Sequence, residues 1–270
     1  LLAWPERTIA QSVDLDPVPG FDRGVTLTTG VRYESYDEDR SDPAGQRLGQ
    51  LNAYLNLGAL LRSNVRIDVA SGWNDTNWHT LGDVSTANDT KVEVSIRPAE
   101  HFMIGGGINA PTGLTGLDIE ELVVAQGMAS RIKGYTTNKF GEGVDYNARV
   151  SYGARTGTLS AAAGVGVLWK GHYTMIQNQG EYDPGDQITF TLGTDVGSPE
   201  RLWRTNASLT LYARDEQDGT DAFEFGNRLR VETWYRHRLP RVSFLIRARS
   251  ILRADSKILQ PGAILNPETR

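Results

Sequence analysis

Hydrophobic and polar positions alternate along most of this chain with a period of two. Across residues 24–36, Val25, Leu27, Thr29, Val31 and Tyr33 share one face, and Thr26, Thr28, Gly30, Arg32 and Glu34 share the other. Across 48–61, Leu51, Ala53, Leu55, Leu57, Ala59 and Leu61 oppose Gln50, Asn52, Tyr54 and Asn56. A two-residue link at Ser63 and Asn64 then leads into Val65, Ile67 and Val69, set against Arg66 and Asp68. This is the spacing of a β-strand whose two faces meet different surroundings. The scheme recurs at 90–97, 102–109, 144–154, 158–170, 187–196, 202–214, 223–237 and 242–253, about eleven segments in all. Each is close to the ten or so residues that a tilted membrane strand requires.

The connections alternate between tight and long. Tight ones fall near Ser63, 98–101, 155–157, 198–200 and 239–240, with turn-forming Pro, Gly, Ser or Asn. Long ones occupy 37–46, 74–89, 111–140, 171–186 and 215–221. Short turns on one rim and long loops on the other characterise outer-membrane barrels. The pattern therefore predicts an all-β protein, an antiparallel transmembrane up-and-down β-barrel of about twelve strands. Its expected organisation is an N-terminal periplasmic segment at 1–22, a barrel at 23–254 and a loop or tail at 255–270. Hairpin arithmetic makes an even strand number normal. The odd count has three readings: a closing strand absent from this chain, one supplied by another chain, or a misassigned eleventh strand.

Aromatic residues near strand ends, at Tyr33, Tyr36, Trp73, Tyr152, Trp169, Trp203, Tyr212, Trp234 and Tyr235, fit interfacial girdles. The alternative is the core of a soluble sandwich. A mean hydropathy of −0.39 looks soluble, yet strands that face lipid on one side and water on the other average to such a value. No stretch is long and apolar enough for a membrane helix, and no charged and apolar leader opens the chain. A formal charge of −5 argues against nucleic acid as a partner. The absence of cysteine excludes disulfides, thiolate metal sites and cysteine nucleophiles.

Glycine-centred motifs carry a family resemblance. The runs Gly107-Ile-Asn-Ala-Pro-Thr-Gly113, Gly141-Glu-Gly-Val-Asp145, Gly164-Val-Gly-Val-Leu-Trp-Lys-Gly171 and Tyr182-Asp-Pro-Gly-Asp186 resemble outer-membrane proteins of the phenol-degradation-pathway family. The more distant likeness is to hydrophobic-compound transporters. It covers mainly residues 102–196 and lacks a counterpart of a long N-terminal hatch. The resemblance implies uptake of small, often hydrophobic molecules, with no catalytic residue to carry over. The triplet Gly105–Gly107 fits no phosphate loop, because no Lys-Ser/Thr follows.

The chemistry left to assign is charge. On the lumen-facing register the reading places Arg32, Glu34, Asn52, Arg66, Asp68, Glu93, Arg149, Arg204, Arg214, Arg228, Arg230, Glu232, Arg247 and Arg249, with Arg236 and Arg253 beside them. A wet, basic wall of this kind attracts anions or orients polar solutes. The other reading is a structural ladder, with Arg228, Arg230, Glu232 and Arg247 paired across the interior to Asp68, Glu93 or Glu34. Within the longest loop, Ile119, Leu122, Val123 and Gln126 have helical spacing, which predicts a helix that constricts the mouth or caps the rim. Acidic stretches at 37–42 and 215–221 read as solvated turns or as cation sites shared with lipopolysaccharide. The expected function is passage of small hydrophobic or anionic solutes across a bacterial outer membrane. Expected partners are outer-membrane lipids and lipopolysaccharide, the solutes, and a further protein chain if the barrel anchors one. No cofactor, metal or catalytic residue is expected. The alternatives are an assembly barrel and an outer-membrane hydrolase built around His172 beside Thr174.

Overall fold

A computed structural model describes residues 24–37, 47–78, 82–128, 141–176, 180–198, 200–239 and 242–259. The acidic stretch at 38–42 and the segments 1–22 and 260–270 lie outside the described residues. The chain runs β1 (Val25–Asp37), β2 (Arg47–Arg62), β3 (Val65–Trp78), β4 (Gly82–Ala87), β5 (Thr90–Ala99) and β6 (Phe102–Ala110). Helix α1 (Ile119–Met128) follows, then β7 (Asp145–Thr156), β8 (Leu159–Trp169), β9 (Tyr173–Thr174), β10 (Glu181–Asp183) and β11 (Gln187–Gly197). The remainder is β12 (Arg201–Tyr212), β13 (Arg214–Gln217), β14 (Thr220–Glu224), β15 (Arg228–Arg238), β16 (Ser243–Arg253) and β17 (Lys257–Ile258).

Eleven strands make a single antiparallel wall in the order β1-β2-β3-β5-β6-β7-β8-β11-β12-β15-β16, with β4 paired to the upper part of β3. Each period-two segment of the sequence supplies one wall strand, so the eleven-strand reading holds. Among the described residues β1 and β16 are unpaired edges, and the sheet does not close. Because neighbours alternate in direction, these two edges run the same way.

The wall is inverted relative to a soluble protein. Its apolar face carries Val25, Leu27, Val31, Leu55, Phe190 and Leu192, all exposed, whereas Gln50, Asn52, Asn74, Thr76, Asp195 and Arg204 of the other face are buried. A sandwich would bury the apolar set against a second sheet. Here the hydrophobic clusters lie at the long-loop rim, around Leu48, Val84 and Val124 and around Met175, Ile176 and Tyr182. Exposed Tyr33, Trp73, Tyr146 and Trp169 stand on the apolar face towards that rim, and Trp203 towards the short-turn rim. Tyr235 joins Trp203, with ring centroids 6.1 Å apart. Trp234 departs from the girdle reading, because it pairs in register with Arg204 and Arg247 on the polar face.

Above the wall the strands continue where the sequence suggests loops. The supposed loop at 74–89 contains the end of β3 and all of β4, register-paired from Trp73↔Ala87 to Trp78↔Gly82. A five-stranded sheet, β17-β14-β13-β10-β9, is built from three other long connections. These strands lack the apolar and polar faces that lipid imposes, so period two does not mark them. The segment at 223–237 is likewise two strands, β14 and β15, broken around Gly226. A Cβ at Gly226 would stand 1.8 Å from the Ala254 carbonyl oxygen, so the chain crosses there only as glycine.

Candidate functional site

The polar face is a set of local ion pairs arranged along the strands. On β1, Arg32 and Glu34 pair at 2.8 Å, and on β3 Arg66 and Asp68 pair at 2.6 Å. Arg149 of β7 reaches Glu93 of β5 and donates to Ser95 Oγ at 3.2 Å, bridging over the glycines of β6. Gly105 leaves the space through which this guanidinium passes. On β15 and β16, Arg230 and Arg247 both reach the Glu232 carboxylate, at 2.8 and 3.0 Å, and Arg249 stands opposite Glu232 in register. Asp68, Glu93 and Glu34, the carboxylates named in the ladder reading, pair with Arg66, Arg149 and Arg32.

A buried bidentate pair is one the sequence reading half missed. Arg204 Nε and Nη2 donate to the two oxygens of Asp195, each at 2.6 Å, and both side chains are at most one-tenth exposed. The β11–β12 register puts Asp195 opposite Arg204. The Trp234 ring lies 4.9 Å from this guanidinium, and Arg236 approaches the same ring at 5.9 Å. A buried bidentate pair is costly to desolvate and holds only with such geometry. Arg228 lies over Tyr212 at 5.9 Å, nearer the long-loop rim.

Arg214 is displaced from its expected place. Strand β12 ends at Tyr212, and Arg214 opens β13 in the rim sheet, paired to Asp221 at 2.5 Å and Glu224 at 3.2 Å. In the same hairpin Asp215 is buried, bonded by the Tyr182 hydroxyl and by the Gly185 N–H at 2.8 Å. Within the acidic stretch at 215–221, Asp215 and Asp221 thus have protein partners. Glu181 stands 3.1 Å from His172, a partner the sequence did not suggest, but both side chains are more than half exposed. A solvated pair of this kind is screened and weakly oriented.

Helix α1 packs on the polar-face side of the long-loop rim. Asp118 and Glu121 form a capping box: Asp118 Oδ1 accepts from the Glu121 N–H, and the Asp118 N–H donates to Glu121 Oε2, both at 2.9 Å. Glu120 and Glu121 also complement the helix N-terminus. The helix buries Val124 and Ala125, with Leu117 just before it, against Leu48, Trp78 and Val84. Leu48, Trp78 and Val84 belong to the polar-face register, because Leu48 pairs with Trp78 and Val84 with Thr76. The helix therefore lies inside the rim, above a covered ladder in which Asn52 donates to Gln50 at 2.7 Å and Thr76 to Asn74 at 2.6 Å. Of the constriction residues read from sequence, Leu122 and Val123 pack partly buried on this cluster, whereas Ile119 is exposed. On its other side the loop is tied to β9 and the residue after it, through Gly116 N–H to Thr174 O at 2.7 Å and Leu117 N–H to Met175 O at 2.9 Å. Strand β9 follows β8, four strands along the wall from β3, so the loop crosses from one part of the rim to another.

An apolar exterior, a polar interior face and an inward-lying helix define a transmembrane β-barrel of the outer-membrane type. No family model matches the chain, and no curated protein matches it. Among solved structures, the chain is similar to the crystal structure of an outer membrane channel from Pseudomonas putida F1. The TM-score is 0.53 at 14% identity, over 89% of this chain and 93% of that one. A second match is the FrpB iron transporter from Neisseria meningitidis, with a TM-score of 0.38 at 13% identity, over 83% of this chain and 40% of that one. The first likeness is one of fold, and it agrees with the barrel that the glycine motifs imply.

Proposed function

We propose that this chain forms the wall of a bacterial outer-membrane channel for small solutes, hydrophobic or anionic, which move along its polar face past α1. The observation that carries the reading is the two-sided wall: an exposed apolar face backed by a face that buries charged and amide side chains such as Gln50, Asn52, Asp195 and Arg204. The fold shared with an outer membrane channel supports it. In this reading the path runs by Arg149, Arg204, Arg228, Arg230, Glu232, Arg247 and Arg249, and outer-membrane lipids and lipopolysaccharide surround the apolar band. Among the described residues the face carries arginines beyond those its carboxylates neutralise, with Arg228 and Arg236 stacked on aromatic rings. Such surplus cations favour anions.

Planar-bilayer recording of the purified protein tests this. Discrete conductance steps are expected, with a reversal potential in a salt gradient that shifts further towards anions in Glu232→Gln, which releases Arg230 and Arg247. A barrel that inserts yet stays silent would overturn the reading. The local pairing that fills part of the interior favours a second one, an assembly barrel that anchors a partner chain. Stoichiometric co-purification of that partner with a silent barrel would support it.

A further inference from the structure

Both legs of the loop that carries α1 converge on one carboxylate. Asp89, between β4 and β5, accepts the Gly113 N–H through Oδ1 at 2.9 Å, on the outgoing leg. Its Oδ2 accepts the Glu142 N–H at 2.9 Å, on the returning leg, and the Asn109 side-chain amide at 3.3 Å. The legs also touch each other: a Cβ on Gly141 would stand 2.7 Å from the Leu114 carbonyl oxygen, so only glycine permits the approach. Hydroxyl contacts reinforce the outgoing leg, with Thr112 Oγ1 donating to the Asn88 carbonyl at 2.8 Å and lying 3.0 Å from Thr90 Oγ1. The returning leg is held by its own ion pair, Lys170 Nζ to Glu142 Oε2 at 2.8 Å, both side chains almost wholly buried. Asp145 stands 3.8 Å from the same ammonium.

We propose that Asp89 is the positioning residue that holds α1 in the mouth, its two oxygens tying the start and the end of the loop to the wall. A two-oxygen acceptor is required, because the donors approach different oxygens from different legs. An asparagine there keeps one acceptor and turns an N–H₂ towards the other donor. Without the clamp the helix keeps its apolar contacts with Leu48, Trp78 and Val84 and each leg keeps its own ties, but the two legs lose the acceptor they share, and α1 opens more often. The consequence for solute flow rests on the channel reading above, whereas the clamp itself does not.

The test is thiol labelling of Val124→Cys, whose parent side chain is fully buried under α1 in a chain with no other cysteine. In the full-length barrel, Asp89→Asn is expected to accelerate labelling by about ten- to a hundred-fold, the equilibrium worth of one hydrogen bond to a charged group. Leu192→Ala, on the lipid side of the wall, serves as the control for general loosening and should leave the rate unchanged. Equal rates with Asp89 and with D89N in a folded barrel would overturn the proposal, as would equal acceleration by Leu192→Ala. The same variants in a planar bilayer separate the two ideas. Faster labelling with larger, noisier conductance supports both, and faster labelling in a barrel that is silent in every variant keeps the clamp and removes the channel.

Discussion

Leu192 sits at the middle of β11 on the apolar face, 56% exposed, with Ala163 and Ala207 as its register partners. If that face touches hydrocarbon, Leu192→Arg places a guanidinium near the bilayer midplane, at a cost of about 2–4 kcal/mol. Val196 lies on the same face four residues nearer the short-turn rim. At roughly 3.4 Å per residue and a tilt of about 40°, that is ~10 Å of depth, close to the edge of an apolar band about 25 Å tall. Val196→Arg should therefore cost only about 0–1 kcal/mol. The difference, about 2 kcal/mol or more, is roughly a thirty-fold ratio in the unfolding equilibrium. Tryptophan fluorescence during denaturant unfolding from lipid vesicles measures both. Equal costs for the two variants, or a neutral Leu192→Arg as for a water-exposed leucine, would refute the lipid-facing assignment.

Asp195→Asn leaves Arg204 buried without its counter-charge and should destabilise the barrel by about 3–5 kcal/mol, whereas the double variant with Arg204→Met should cost less than the single one. A double-mutant cycle by denaturant unfolding reads that coupling. Asp118→Ala removes the helix cap and should cost α1 about 0.5–2 kcal/mol, seen as faster amide exchange confined to residues 119–128.

The wall was legible because lipid and water impose opposite demands on alternate residues, as Leu192 and Asp195 show three positions apart on one strand. Above the membrane both faces of a strand meet water or protein, so β4 and the five-stranded rim sheet leave no period-two trace. That is why Arg214 reads as a continuation of β12 although it opens β13. Trp234 was misplaced for a different reason: position near a strand end does not tell which face an aromatic occupies, and only the pairing with Arg204 and Arg247 does. The helix was visible in the spacing of Leu122 and Val123, and its start was written in Asp118 and Glu121, a capping signal available from sequence. The Asp195–Arg204 pair was recoverable too, from the length of the turn between them. Asp89 was not, because its partners lie 24 and 53 residues away.

Among the described residues the wall has an odd number of strands and two unpaired margins, with a consequence for assembly. The two free margins at β1 and β16 ascend together, so two copies standing upright in one bilayer can bring margin to margin only as a parallel seam. An antiparallel seam would turn one copy upside down, which its unequal rims oppose. A ribbon threading singly from the long-loop side downwards satisfies both margins at once, whichever polypeptide provides it.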